Sequence, residues 1–466
     1  MSERGRLLST AERGFFENFF ARLDRAGLPV ILLRNYENFP AAIGHDLDVF
    51  FRPADVPDAA AIFREVLHAG GGAVLHVHER DYVLAVWFRA ARDEPRAIHL
   101  DFYHGAFTWH DLPYINEQEL ITGSRAWGNF RTPRPAHEAL NLFLTSLLWG
   151  GFFKSRYGER IGALLKAPEE AAEFFRVLER EFGARTALSA KPRAGELVGE
   201  AVRFPVGEEM QPYAARLRRW FKVRSFLRRP LTTPLRLGRY WLKELGTVLS
   251  PPGICIAVLG PDGSGKSTVI QAVKERIEYY FGETKDRHWR PHFLGDVGVL
   301  LGQREQASGP VSDPHGRVPH STAVSAIRFF YYWLDYWLGY PLRVWKYRAK
   351  NHLVIFDRYA QDMWCDPKRY RLRLPQGLMK FFCRLTPQPE LSFVLLADAE
   401  VIHQRKGEVP LATLRELLQR YGEAAHGGAA IHAVNCGRPV NEVADEIAAV
   451  VLKHLQTQAA RDRRFR

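Results

Sequence analysis

Apolar residues in the first 130 positions recur in short runs, many of them alternating with polar neighbours, which is the pattern of strands with one face in a core. The runs fall at 30–33, 47–51, 73–77, 82–88 and 98–102. Before them, Ser9-x-x-Glu12 is a capping-box pattern, and Phe15, Phe16, Phe19, Phe20 and Leu23 follow at helical spacing. A second helix is predicted near 59–68. From 135 to 182 the period turns helical, with Leu140, Phe143, Leu144, Leu147 and Leu148 on one core-facing stripe. The prediction is an α+β domain over 1–132 with a helical extension over 133–212.

The second half reads differently. Apolar runs at 254–259, 353–356, 391–396 and 431–435 are short and nearly continuous, as strands buried on both faces are. Between them lie helical patterns at 269–280, an aromatic one at 323–350 expected to kink or break near Gly339-Tyr340-Pro341, and a closing one at 440–455. A Gly/Pro/His-rich stretch at 302–320 reads as a long loop or lid. Strands alternating with helices predict a parallel sheet flanked by helices, so the fold class is α/β in a domain spanning 251–466.

Charge adds a third region. The chain has 65 Lys+Arg against 52 Asp+Glu, net +13, and residues 213–243 alone carry ten basic residues and no acid, interleaved with Trp220, Phe221, Phe226, Tyr240 and Trp241. Residues 213–250 therefore read as a basic linker, broken near Pro230 and Pro234. It is either a solvated, partly helical connector or a surface for an anionic membrane, with nucleic acid a weaker match. The aromatic run at 329–345 is interrupted by Asp335 and Arg343 and is too short to cross a bilayer. Residues 1–25 show no signal peptide. Cys255, Cys365, Cys383 and Cys436 have neither disulfide-framework nor zinc-ligand spacing, which fits a reducing, cytoplasmic setting, with attachment to the inner face of the membrane as an option. Oligomeric state is left open.

Two stretches carry candidate chemistry. Gly260-Pro261-Asp262-Gly263-Ser264-Gly265-Lys266-Ser267-Thr268 fills the pattern G-x-x-x-x-G-K-[ST] between a strand and a helix. There the glycines let the backbone amides face a triphosphate, Lys266 reaches its outer phosphates, and Ser267 ligates Mg2+. Ligands of a parallel sheet gather at the C-terminal strand ends, so Asp357 and Arg358, which end the 353–356 run, are expected in the same crevice. Asp357 is suited to magnesium and Arg358 to an acceptor phosphate or carboxylate. In the first half, Asp46 and Asp48 share one side of a strand, and Asp101 lies in a second strand. Three converging carboxylates suit two magnesium ions for nucleotidyl transfer.

On these residues the second half resembles thymidylate kinase and its relatives. Residues 260–268 look like that family's G-x-D-G-x-G-K-S-T, and Asp357-Arg358-Tyr359 looks like its D-R-[YH]. The resemblance implies ATP and Mg2+ as cofactors, Asp262 contacting the acceptor's sugar, Arg358 its phosphate, and Arg405 the phosphoryl group in transit. Leu259 and Trp289-Arg290-Pro291 depart from the family pattern. The stretch 357–371 is similar to the divergent thymidylate-kinase-like proteins of bacterial envelope polysaccharide synthesis. Residues 28–105 resemble the nucleotidyltransferase superfamily related to DNA polymerase beta, although Arg34-Asn35 stands where that superfamily has a Gly-Ser or Gly-Gly turn. The expected function is ATP- and Mg-dependent phosphoryl transfer to a nucleoside monophosphate of the dTMP type. One alternative is a sugar or sugar phosphate as acceptor. Another is an ATP-gated, membrane-associated scaffold with an inactive first half. A free hydroxyl acceptor needs a general base, for which Asp262 is the first candidate and Asp362 the second.

Overall fold

The computed structural model describes residues 6–80, 82–94, 96–105, 107–150, 156–184, 211–295, 320–407, 409–462 and 464–465. Apart from His320, the lid predicted at 302–320 lies outside the described residues. The chain forms two compact units, Met1–Leu245 with Gln456–Arg466, and Gly246–Leu455.

The first unit is built on a mixed sheet. Its order is Arg125–Trp127, Phe130–Thr132, Ile31–Arg34, Leu47–Phe51, Ile98–His104, Val83–Arg89, Ala73–Arg80. The central strands Leu47–Phe51 and Ile98–His104 run parallel, and Asp48 pairs directly with Asp101. Alternation along a strand sends Leu32, Val49, Phe51 and Phe102 to one face, where they pack on Phe15, Phe19 and Phe63 of the helices Thr10–Arg25 and Val56–Ala69. Ile31, Leu33, Phe50 and Tyr103 go to the other face, under Leu140, Phe143, Phe174 and Phe221 of the helices Pro135–Thr145, Pro168–Phe182 and Gln211–Arg228. Both faces are thus covered. Asp48 and Asp101 share the second face with Phe50 and Tyr103, so two carboxylates are buried in an apolar layer.

The basic stretch forms two helices, Gln211–Arg228 and Thr232–Leu249, broken where Pro230 interrupts the pattern. The first of them buries Tyr213, Ala214, Leu217 and Phe221 in the first unit's core.

The second unit holds a five-stranded, all-parallel sheet in the order Thr284–His288, Leu353–Asp357, Cys255–Leu259, Leu391–Leu396, Ile431–Asn435. In chain order that is 2-3-1-4-5. Helices Lys266–Ile277, Thr322–Gly339, Leu411–Ala425 and Val440–Ala459 accompany it. Phe356, Val394, Phe329, Tyr336 and Tyr421 share its core. The aromatic helix does not break at Pro341. It widens into a π-helical turn over Tyr340–Val344 and resumes as Trp345–Arg348, a detour that accommodates the amide hydrogen proline lacks.

Candidate phosphate site and carboxylate cluster

The central strand Cys255–Leu259 ends at Leu259, and the helix Lys266–Ile277 starts seven residues on. The chain turns that sharply because Gly260, Gly263 and Gly265 take φ of 148°, 87° and 83°, values that favour glycine. Space makes the same demand: a Cβ on Gly263 would lie 3.1 Å from Ile402 Cγ2 and 3.2 Å from Lys406 Cβ. Ser264 is buried, and its Oγ has no hydrogen-bond partner among the described residues. Ser267 and Thr268 lie exposed in the first helical turn, where free amides and the helix dipole favour an anion.

Lys266 is only 7% exposed and folds back on the loop, its Nζ donating to the carbonyls of Gly260 (2.9 Å) and Pro261 (2.8 Å). Burial, reinforced by the nearby Arg358 charge, pushes its amine down to about 8.

Arg358 is the most constrained residue of the site. It is 2% exposed, has φ of 77°, and keeps its amide on the Val258 carbonyl at 3.0 Å, which holds the turn against the central strand. Its guanidinium bonds Asp262 of the phosphate loop and, at 3.1 Å, Asp362 Oδ1. Asp362 is filled on both oxygens, accepting from Tyr421 Oη (2.6 Å) and the Tyr359 amide (2.8 Å) as well. Arg369 bonds the other oxygen of Asp262, across 107 residues of sequence. Burial opposes ionisation of Asp262, but Arg358, Lys266 and Arg369 outweigh it and hold the carboxyl below its ordinary value. Burial pushes Asp362 up, with Arg358 opposing.

Asp357 ends the neighbouring strand, paired in register with Val258. Its Oδ1 is buried without a hydrogen-bond partner among the described residues, and its Oδ2 lies 3.9 Å from His288 Nδ1. An open carboxylate oxygen on the strand beside a phosphate loop fits a divalent cation, with Ser267 as the loop's hydroxyl ligand. Arg405 is exposed, and its Nη1 donates to the Cys436 carbonyl at 2.8 Å, just after the last strand. An aromatic wall stands beside this cluster. Trp289, whose amide bonds the Asp357 carbonyl at 2.8 Å, stacks on Tyr370 with centroids 4.4 Å apart and meets Tyr332 edge-on at 4.6 Å. Trp289 Nε1 and Tyr370 Oη are buried without hydrogen-bond partners among the described residues. Arg328 donates to Tyr332 Oη at 2.9 Å.

Arg369, Tyr370, Tyr421 and Lys406 are the members that sequence reasoning did not assign. Their partners are distant in the chain, and no local spacing announces them.

In the first unit, Asp46, Asp48 and Asp101 bring carboxylate oxygens within 4.8 Å of one another. Asp46 lies just before the strand rather than in it. Arg34 enters this cluster: its Nε and Nη2 bond the two oxygens of Asp48, Nη2 at 3.1 Å, and it stands 3.8 Å from Asp46. His99 Nε2 lies 2.9 Å from Asp101 Oδ1, with its ring stacked 4.0 Å from Trp87. Burial pushes Asp48 up to about 7, with Arg34 pulling down and Asp46 and Asp101 adding to the rise. A guanidinium on both oxygens of Asp48 does not fit the same carboxylate holding a metal ion. Arg34→Gln removes that competing charge and is expected to tighten Mn2+ binding to these carboxylates ten-fold or more, about 1.4 kcal/mol, read by Mn2+ paramagnetic resonance. Unchanged affinity would mean that Arg34 does not guard the cluster.

No protein-family model and no curated protein matches the chain. Among solved structures, a thymidylate kinase from Candida albicans, described as having broad substrate specificity and a novel structural element, is similar over 44% of this chain and 93% of that one, at 16% identity and a TM-score of 0.33. The second unit is a parallel five-stranded sheet flanked by helices, with the phosphate loop between its central strand and the helix that follows.

Proposed function

We propose that the second unit transfers the γ-phosphoryl group of ATP to an acceptor that already carries a phosphate, with a nucleoside monophosphate of the dTMP type the leading acceptor. The observation that carries this reading is the arrangement of the buried Arg358 and Asp362 with Asp262 of the phosphate loop. A hydroxyl acceptor needs a base, and neither carboxylate is free to serve: Asp262 has an arginine on each oxygen and a lowered proton affinity, and Asp362 has both oxygens filled. An acceptor phosphate is ionised already and needs positioning and charge, which arginines provide.

The chain's own groups divide the work. Loop amides and Lys266 take the triphosphate in place of the loop carbonyls that Lys266 now bonds. Arg358, held in place by Asp262 and Asp362, brings its charge and its remaining N–H donors to the acceptor phosphate, and Arg369 adds a second charge beside it. Ser267 and Asp357 would hold a magnesium ion, which would supply charge neutralisation to the phosphates. We keep Arg405 for the phosphoryl group in transit, since Ile402 and Lys406 on either side of it lie against Gly263 of the phosphate loop. No activity is proposed for the first unit.

The test is transfer from γ-labelled ATP to dTMP, other nucleoside monophosphates, free sugars and sugar phosphates in parallel. Labelled dTDP is the expected product. Label on the phosphate of a sugar phosphate, giving a sugar diphosphate, would keep the chemistry and move the acceptor toward envelope polysaccharide synthesis. Label on a free sugar hydroxyl, or on no acceptor, would overturn the reading.

A further inference from the structure

The helical pair Gln211–Arg228 and Thr232–Leu249 presents its apolar residues the wrong way for a water-facing element. At 100° per residue, Trp220, Val223, Phe226 and Leu227, all exposed, fall in one sector of about 120° beside the buried stripe, together with Arg216 and Arg219. On the second helix, Leu235, Trp241, Leu242, Leu245 and Leu249 form a single stripe without a charge, and Leu231 stands exposed just before it. The exposure of these leucines reaches 83% at Leu231 and is still 71% at Leu242. A continuous apolar face of this kind marks a surface that something covers.

The charges say what covers it. Most of the ten basic residues of 213–243 are already used inside the first unit. Arg218 bonds the carbonyls of Leu147 and Leu148, Arg224 that of Arg180, and Arg228 pairs with Glu181. Arg236 and Arg239 bond Asp111, and Lys243 lies 3.6 Å from Glu79. Arg216, Arg219 and Arg229 remain to flank the apolar face, with no acid in the stretch to answer them. Apolar stripe, flanking arginines with long aliphatic stems, and a tryptophan on each helix together match the boundary between acyl chains and anionic headgroups. No described helix is long and apolar enough to cross a membrane, so the contact is one of lying on the surface.

We propose that this helical pair docks the protein on an anionic lipid bilayer, with the 235–249 stripe toward the acyl chains and Arg216, Arg219 and Arg229 on the headgroups. The proposal is independent of the phosphotransfer reading and of its acceptor.

The test uses the full chain with sedimenting vesicles of phosphatidylcholine, alone or with about one-third phosphatidylglycerol. Binding is expected to be about 100-fold tighter on the anionic vesicles and to weaken steeply at about 0.5 M salt. Leu235→Glu with Leu242→Glu changes two exposed positions, so helix content by circular dichroism should hold while binding is lost. Arg216→Glu with Arg219→Glu should cost about ten-fold or more on anionic vesicles alone. Failure of the wild type to bind, or binding indifferent to Leu235→Glu/Leu242→Glu, would overturn the proposal. So would a wild-type oligomer that those changes dissociate without any lipid binding, which would give the stripe to a second copy of the chain.

Discussion

A Lys266→Met protein is expected to fold with nearly wild-type stability and to transfer phosphoryl groups at least about 10³-fold more slowly. The two outcomes separate because Lys266 is poorly served in the empty site. Its charge is buried, and a drop from the ordinary lysine value to about 8 corresponds to about 3 kcal/mol of penalty at pH 7. Against that stand two bonds to loop carbonyls, worth about 1 kcal/mol each, which methionine forfeits. The net change in folding is therefore small, about 1–2 kcal/mol in either direction. Nothing in the empty protein replaces the lysine when a triphosphate must be held, so the thermal stabilisation that ATP gives the wild type should vanish. The pH profile gives a second readout. Because the folded value lies below the unfolded one, the folded protein binds fewer protons between about pH 8 and 10.5, and empty wild-type stability gains from this group as pH rises through that window. Lys266→Met removes that gain. A variant retaining even a tenth of wild-type transfer would sink the assignment of the loop.

How much of this was legible depended on whether the partner of a residue was near it in sequence. The phosphate loop announces itself because strand, glycines, lysine and helix are consecutive, and four of the five parallel strands stand out as apolar runs. The fifth, Thr284–His288, was not predicted. It is an edge strand, half-exposed along most of its length, and Thr-Lys-Asp-Arg-His has no apolar pattern to read. The short strands Phe107–Trp109, Leu112–Ile115, Arg125–Trp127 and Phe130–Thr132 were missed for want of length. Period two places Asp48 and Asp101 in strands, and the parallel register then sets them opposite each other. That Arg34 would fill Asp48 does not follow from any spacing, since it depends on which neighbouring strand supplies a cation. The bond between Asp262 and Arg369 is less accessible still, because it joins a tight turn to a segment folded by a different strand.

Removing Arg358 should do what removing Lys266 does not, and cost both activity and fold. Arg358→Ala leaves the fully buried Asp362 without the charge that offsets it and Asp262 with Arg369 alone bonded, a loss of about 3–5 kcal/mol and, for a unit of this size, a melting point lower by about 10 °C. Turnover should fall about 10³-fold, through both the acceptor contact and the lost rigidity of the loop. Two companions separate this cause from general damage. Adding Asp362→Asn to Arg358→Ala neutralises the stranded carboxylate and should restore part of the stability while restoring none of the activity. Arg358→Gly should be more stable than Arg358→Ala by about 1 kcal/mol, the reverse of the usual order, because φ at this position is 77° and only glycine takes it without penalty. Calorimetry on the three variants checks both points. If Arg358→Ala melts with the wild type, the arginine is not the support of this turn, and the acceptor site must be sought along the aromatic wall of Trp289 and Tyr370 instead.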